Sequence, residues 1–302
     1  MSALARWWHS DLAWSLRHSP VALAALLVAV LCIGSATFAE WVAPTDPFDM
    51  GRLELSDSRL PPAWQEGGKP QYLLGTDEQG RDILSALMYG ARISLGVSGV
   101  SVALSVLIGV GLGLLAGYRG GWLDALLMRL CDVMLSFPAF LLALMLAGVA
   151  HAVWPQASEA LAFGVLVVSI TLAGWVPYAR TVRGSTLIER QKEYVLAARV
   201  TGVPAHRIMW RHVLPNVLQP VLVLATLQVA SAIILEATLS FLGVGVPPTS
   251  PSLGSLVRIG NNYLLSGEWW ITVFPGLMLV AISLSINLLG DWLRDALNPR
   301  LR

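Results

Sequence analysis

Long runs without Asp, Glu, Lys or Arg dominate the chain, and shorter polar segments interrupt them. A helix needs about 20 mainly apolar residues to cross roughly 30 Å of hydrocarbon. Six uncharged runs reach or approach that length and predict six membrane-spanning helices. The predicted spans are 20–39, 93–118, 133–150, 161–179, 213–235 and 271–290. The sequence therefore predicts an all-α integral membrane protein.

These spans divide the chain into five parts. The parts are a segment at 1–19, a first transmembrane helix within 20–43, a loop at 44–92, a five-helix core at 93–290 and a tail at 291–302. The loop is rich in Pro, Gly and acidic residues, and helical periodicity begins only at about Ile83. A second polar segment, 243–270, ends in Trp269 and Trp270, an aromatic pair expected at a membrane interface.

Composition supports the membrane assignment. Hydrophobic residues make up 55% of the chain and charged residues only 13%, more apolar surface than a single soluble core would hide. The formal net charge of +1 gives no basic field, so a nucleic-acid partner is not expected. Two separated cysteines and five scattered histidines show no metal-site spacing, so neither a metal nor a cofactor is implied.

Positive residues predict the orientation of the spans, because Lys and Arg are retained on the cytoplasmic side of short loops. With the N-terminus inside, the cytoplasmic segments hold 14 of the 20 Lys and Arg residues. Five of the remaining six lie in the long loop at 44–92, where the rule is weak. Both termini are therefore expected in the cytoplasm.

The first span has an alternative as a cleaved signal peptide. Arg6 and Arg17 precede its apolar core, and small residues lie near Ala39. Its uncharged run reaches full spanning length, which favours a transmembrane helix.

The longest predicted cytoplasmic loop, 180–212, has a helical pattern with a sharp break. Helix-forming residues from Glu193 end at Gly202, and Pro204 follows closely. Glycine just past a helix and proline at the start of the next one predict two short helices joined by a tight turn. On the second helix one face is apolar and another is basic: Ala205, Ile208, Met209 and Val213 against Arg207 and Arg211.

Periodicity alone leaves two roles open for this hairpin. Apolar anchors at helical spacing suit docking into a groove on a soluble partner. A basic amphipathic helix is equally suited to lie on lipid head groups.

Here the chain resembles the membrane permeases of ABC importers. Their cytoplasmic loop carries Glu-Ala-Ala, three residues, Gly, nine residues and then Ile-x-Leu-Pro. The residues in register with that pattern are Ala197, Ala198, Gly202, Leu214 and Pro215. Leu196 replaces the family's glutamate and His212 its isoleucine. Glu193, about one turn earlier, is the candidate for the missing carboxylate.

Further stretches are similar to the dipeptide, oligopeptide and nickel importer subfamily. They read Glu193-Tyr194-Val195, Arg211-His212-x-Leu214-Pro215-Asn216, Leu74-Gly75-Thr76-Asp77, Gly80-Arg81-Asp82, Gly90-Ala91-Arg92, Leu239-Ser240-Phe241-Leu242-Gly243 and Pro247-Pro248. The stretch from Leu74 is typical of the second of the two permeases in such importers. Leu253 departs from the pattern, because that subfamily usually has Trp there.

The resemblance implies a type I ABC importer permease with six transmembrane helices and a coupling segment at 189–215. The chain has two lysines and no Gly-Lys-Ser/Thr loop for ATP phosphates, so it is expected to be a transport subunit and not an enzyme. Residues expected to act in coupling to the ATPase are Glu193, Ala197, Ala198, Gly202, Leu214 and Pro215. The implied partners, in the bacterial cytoplasmic membrane, are a second homologous permease, two ATPase subunits and an extracytoplasmic binding protein.

Polar residues in or near the spans are candidates for the substrate pathway. They are Gln228, Ser231, Glu236 and Ser240, with Asp132 and Asn287 as weaker candidates. A carboxylate at membrane depth is costly unless it faces water or a partner, which makes Glu236 a functional candidate. The alternative for Glu236 is a hydrogen bond at a helix end or between subunits. Asp132 lies three residues after Arg129, which predicts a structural ion pair.

Two questions stay open in the sequence. A self-contained secondary transporter is the alternative class, but it usually has repeated halves, and no internal repeat is visible. Within the importer class, dipeptides or short peptides are the expected cargo and nickel chelates the second candidate. The spans do not discriminate these cargoes, because affinity would reside mainly in the binding protein.

Overall fold

Helices are the regular secondary structure of the residues that the structure, a computed structural model, describes: 11–47, 49, 55–155, 158–247 and 249–296. The helices are α1 (Asp11–His18), α2 (Pro20–Thr37), α3 (Ala39–Val42), α4 (Ile83–Arg119), α5 (Gly121–Leu135), α6 (Ala139–Val153), α7 (Glu159–Glu189), α8 (Glu193–Val200), α9 (Ala205–Ile208), α10 (Leu214–Phe241), α11 (Leu253–Asn261) and α12 (Trp270–Ala296). No strand forms within these ranges. The outer parts of the predicted terminal segments, 1–10 and 297–302, lie outside them, as does Pro248.

Five helical units are long and apolar enough to cross a membrane: α2, α4, α7, α12 and the unit formed by α9 and α10. A sixth span exists only as the bent pair of α5 and α6, whose axes differ by 85°. The prediction of one span over 133–150 is therefore wrong in its geometry. The break falls at Pro138, where proline lacks the N–H that a continuous helix would use.

The bundle has two ends, which we name by what they carry. The coupling end carries 189–204, the connection from α7 to α9. Trp292 donates to the Ser15 hydroxyl at 3.2 Å, which brings α1 and the end of α12 together at this same end. The loop end carries the segments 43–82 and 242–269. The helices α4, α7 and α10 connect the two ends.

Small residues bring α4 against α7. Near the middle of α4, Ser101 and Ser105 donate to backbone carbonyls of α7 at 3.3–3.4 Å. Toward the coupling end, Gly109, Gly113 and Gly117 recur every fourth residue. A Cβ on Gly113 would come within 2.4 Å of the Ala179 carbonyl oxygen. Close approach of backbones through small residues is how membrane helices associate when water supplies no driving force between them.

The motif from Leu74 to Asp82 forms the cap of the loop end. Asp77 and Arg81 make a buried ion pair at 2.6 Å, and the Asp77 carboxylate also accepts from the Arg81 backbone N–H. Asp82 caps α4 by accepting from the Ser85 N–H at 2.9 Å. Trp270 is buried beneath this cap and donates to the Thr76 carbonyl at 3.2 Å. Trp270 therefore faces protein, whereas the sequence suggested an interfacial anchor.

We expect Gly113→Val to destabilise the bundle by about 1–3 kcal/mol or more, because the side chain would overlap the α7 backbone. Thermal unfolding of the purified complex in detergent measures the effect. Gly111→Val is the matched control, since a Cβ at Gly111 has no heavy atom within 4 Å. Equal melting temperatures for the two variants would contradict the close contact of α4 and α7.

Candidate functional site

The predicted hairpin at the coupling end forms, with one difference from the prediction. Helix α8 ends before Gly202, whose φ of +75° supplies the left-handed turn. The Val203 N–H returns to the Ala198 carbonyl at 3.0 Å. The second short helix is not separate. It continues through a π-helical turn, Met209–Val213, into α10, so the hairpin and the fifth span share one continuous helical unit.

One face of α8 packs into the bundle and another faces outward. Val195 and Ala198 are buried in a cluster with Ile208 and Val213 and with residues of α4 and α7. Leu196 is 46% exposed and Val200 is 89% exposed. Ala197 is also exposed. The hairpin therefore presents a small apolar surface, Leu196, Ala197 and Val200, that no described part of this chain covers.

A hydrogen-bond network fastens the hairpin to two spans. The Tyr194 hydroxyl donates to the Glu189 carboxylate at the end of α7. It also contacts the His212 carbonyl at 3.2 Å and accepts from the Asn216 amide at 2.9 Å. Lys192 pairs with Glu189 at 2.7 Å. Partial burial and the Glu189 carboxylate raise the pKa of Tyr194 to about 12, so the phenol stays protonated at physiological pH.

The structure places the predicted coupling residues in different environments. Glu193, Gly202 and Pro215 are exposed, and Leu214 is half-buried. Ala198 is buried and supports the hairpin from inside. Glu189 is the carboxylate that bonds Tyr194 within the hairpin network, and the coupling role of Glu193 stays a prediction. Glu189, Lys192 and Tyr194 lie within two helical turns in the sequence, but only the fold shows which of them meet.

Arginines connect the hairpin region to the helices around it. Arg190 donates to the Gly117 and Tyr118 carbonyls at 2.9 and 3.2 Å and so satisfies the free end of α4. Arg183 makes a bidentate pair with Asp124 at 2.5 and 2.7 Å. Asp132 pairs with Arg180 of α7. The predicted pairing of Asp132 with Arg129 is therefore not the one that forms.

Two of the predicted pathway residues line one cavity. Gln228 and Ser231 of α10 border a space of about 250 Å³ between α4, α5, α6, α7 and α10. Ser105 and Tyr178 contribute further polar groups, and the remaining lining is apolar. The cavity lies between the helices that the hairpin network joins, α7 and α10.

Glu236 and Ser240 are placed elsewhere. Both are buried, and Ser240 donates to the Glu236 carboxyl at 2.7 Å. Ser94 of α4 accepts from the Leu253 N–H beside them at 3.2 Å. The first of these bonds lies within α10, and the second joins α4 to α11. A role of Glu236 in the substrate pathway stays a prediction. Among the residues described, no group of three His, Cys, Asp or Glu side chains is arranged to hold a metal ion.

Comparison with known proteins identifies the kind of protein that this fold and hairpin represent. Residues 109–302 match the family described as binding-protein-dependent transport system inner membrane component. The chain belongs to this family of inner membrane permeases. The di/tripeptide transport system permease DppC of Pseudomonas aeruginosa is 41% identical over 95% of this chain and 91% of its own length. The dipeptide permease DppC of Escherichia coli K12 is 41% identical over 100% of this chain and 95% of its own.

A solved structure supports the fold of the permease. A chain of the inward-facing MetNI methionine ABC transporter superposes with a TM-score of 0.55 at 20% identity. The match covers 70% of this permease and 97% of that chain. The predicted type I ABC importer permease architecture is confirmed, and the alternative of a self-contained secondary transporter is removed. Membership implies partners of two kinds, an ATPase and a binding protein.

For this permease we expect Tyr194→Phe to loosen the hairpin, because the buried Glu189 carboxylate would lose a donor and α10 would lose a hydrogen bond to α8. Hydrogen exchange in 190–216 should become faster. In the unchanged protein the same loosening should appear as the pH rises from about 10 toward 12. The Tyr194 phenol loses its proton near its raised pKa, and a phenolate cannot donate to Glu189. The variant should lack this step.

Tyr72→Phe is the matched control for that experiment. Tyr72 also donates to a carboxylate, that of Asp57 at 3.1 Å, but it lies at the loop end. Removal of the Tyr72 hydroxyl should leave hydrogen exchange in 190–216 unchanged. Equal protection of the hairpin in the Tyr194→Phe and unchanged proteins would show that the network does not hold it.

Proposed function

We propose that this permease is the second pore-forming subunit of an ATP-driven importer for dipeptides or short peptides. The observation that carries the proposal is identity of 40–41% to permeases named for dipeptide or di/tripeptide transport, over 92% or more of this chain. Cargo passes between this chain and a second homologous permease. Two ATPase subunits supply the energy, and an extracytoplasmic binding protein delivers the cargo.

The coupling end faces the cytoplasm in this proposal, and so do both termini. The distribution of Lys and Arg supports this orientation, because 14 of the 20 fall in the segments assigned to the cytoplasmic side. The loop end then faces outward, where the binding protein docks.

Coupling runs from the ATPase through the hairpin to the spans. The exposed surface of Leu196, Ala197 and Val200 seats in a groove of an ATPase subunit, as apolar anchors on a helix do. Closure of the ATPase pair displaces the hairpin. Because Tyr194 bonds to residues of both α7 and α10, those helices move with it. Their motion opens the space lined by Gln228 and Ser231 alternately to each side of the membrane.

We expect Val200→Asp to abolish co-purification of the ATPase subunits, because it places a charge in the apolar surface while disturbing nothing buried. The amount of ATPase recovered with the tagged permease is the readout. Leu265→Asp, a fully exposed position at the loop end, is the matched control and should retain the ATPase. Retention by both variants would contradict docking at α8.

Ala198→Arg is less informative, because Ala198 is buried and its loss would damage the hairpin itself.

Uptake of a labelled dipeptide by cells that contain all subunits tests the cargo. Uptake should require an intact ATPase and should be reduced by excess unlabelled dipeptide or tripeptide, but not by nickel chelates. Uptake that persists with an inactive ATPase, or competition by nickel chelates alone, would overturn the proposed function.

A further inference from the structure

A second cavity, of about 470 Å³, lies at the loop end and is separate from the space lined by Gln228. Its volume is within the range of small-molecule sites, roughly 300–1,000 Å³. Four parts of the chain border it: the cap before α4, the end of α6, the start of α7 and the segment 243–262. Its polar lining residues are Glu78, Gln79, His151, Ser255, Arg258 and Asn262.

Arg258 brings a positive charge to this cavity without a partner for it. The side chain is exposed, and among the residues described it makes neither an ion pair nor a hydrogen bond. Its guanidinium lies over Gly243, where an added Cβ would come within 2.5 Å of Nη1. Gly243 has a φ of +85° and follows the last turn of α10. The backbone thus leaves room for the guanidinium at the cavity wall.

Glu78 brings a negative charge to the same cavity from a different segment. Its Oε2 accepts from the Tyr263 hydroxyl at 2.7 Å, and this bond fixes the carboxylate. The same bond raises the pKa of Tyr263, as expected beside an ionised carboxylate. The other oxygen, Oε1, accepts no hydrogen bond from any residue in the described ranges. Glu78 is therefore held in place while one oxygen stays available to a ligand.

We propose that this cavity binds the two charged termini of a short peptide on its way into the permease. The guanidinium of Arg258 receives the terminal carboxylate, a planar group that arginine binds through two parallel hydrogen bonds. The carboxylate of Glu78 receives the terminal ammonium group. Gln79 and Asn262 offer amides to the peptide bond between them. The inference rests on the proposed function and adds a recognition step within this chain.

An arginine near the C-terminal end of a helix can also serve only to balance the helix dipole, and the guanidinium of Arg258 lies just past the end of α10, over Gly243. That role would affect every cargo equally. Recognition of a terminal carboxylate would instead separate peptides with a free C-terminus from those with an amidated one. The ratio of the two uptake rates distinguishes the roles.

The test measures uptake of a dipeptide, its C-terminal amide and its N-acetyl form at concentrations that saturate the binding protein. Arg258→Gln should lower the uptake of the free dipeptide relative to the amide by about tenfold. Glu78→Gln should lower the uptake of the free dipeptide relative to that of the N-acetyl form. Because the binding protein is unchanged in every strain, an altered ratio must arise in the permease.

Matched controls remove the same charges elsewhere at the loop end. Arg92 pairs with Glu40 away from the cavity, and Glu66 is exposed and does not line it. Arg92→Gln and Glu66→Gln should keep the uptake ratios of the unchanged protein. Ratios that stay constant in Arg258→Gln and Glu78→Gln, or uptake that falls equally for all three compounds, would overturn the inference. Absence of any peptide uptake by the unchanged transporter would instead overturn the proposed function.

Discussion

The attachment of the hairpin to α7 and α10 is the interaction on which the account of this permease depends. A surface that meets a soluble motor can move a pore only if the connection between them is stiff. Here the stiffness has two sources: the apolar packing of Val195 and Ala198 and the hydrogen bonds that converge on the Tyr194 hydroxyl. The second source joins the end of one span to the beginning of another. Movement of α8 without movement of both spans would break these hydrogen bonds.

The membrane explains why the rest of the bundle can transmit such movement. Helices in lipid associate through close backbone contact and hydrogen bonds, because hydrocarbon gives no hydrophobic force between them. The serines and glycines of α4 provide that contact with α7, and Arg190 ties the end of α4 to the same region. At the loop end, the buried pair of Asp77 and Arg81 belongs to the cap that fixes the beginning of α4 and contacts Trp270 of α12. Polar contacts thus hold the helices of an apolar bundle together at both of its ends.

Sequence patterns predicted the features that arise from local chemistry. The uncharged runs located the spans, and Gly202 located the turn of the hairpin. Features that arise from tertiary contact were not predicted. Pro138 lies within an apolar run, and only the fold shows that it bends the sixth span by 85°. Glycines 109, 113 and 117 were visible in the sequence at regular spacing, but their partner helix was not. The contact of Glu189 with Tyr194 was not predicted either, because distance along the chain does not show which carboxylate turns toward Tyr194.

Spin-label distance measurement between Thr201 and Leu222 shows whether the hairpin and α10 move as one body. Thr201 follows α8 outside the surface proposed to meet the ATPase, and both side chains are exposed. The buried Cys32 and Cys131 can be replaced so that only the introduced cysteines carry labels. The distance is measured in the complete transporter without nucleotide and again after trapping with ATP. In a separate variant, altered reactivity of a cysteine at Ser231 shows that the transporter has changed state. If the hairpin and α10 move as one body, the distance and its spread stay the same in both states. A shifted distance or a second population would show that the hairpin moves independently of the span.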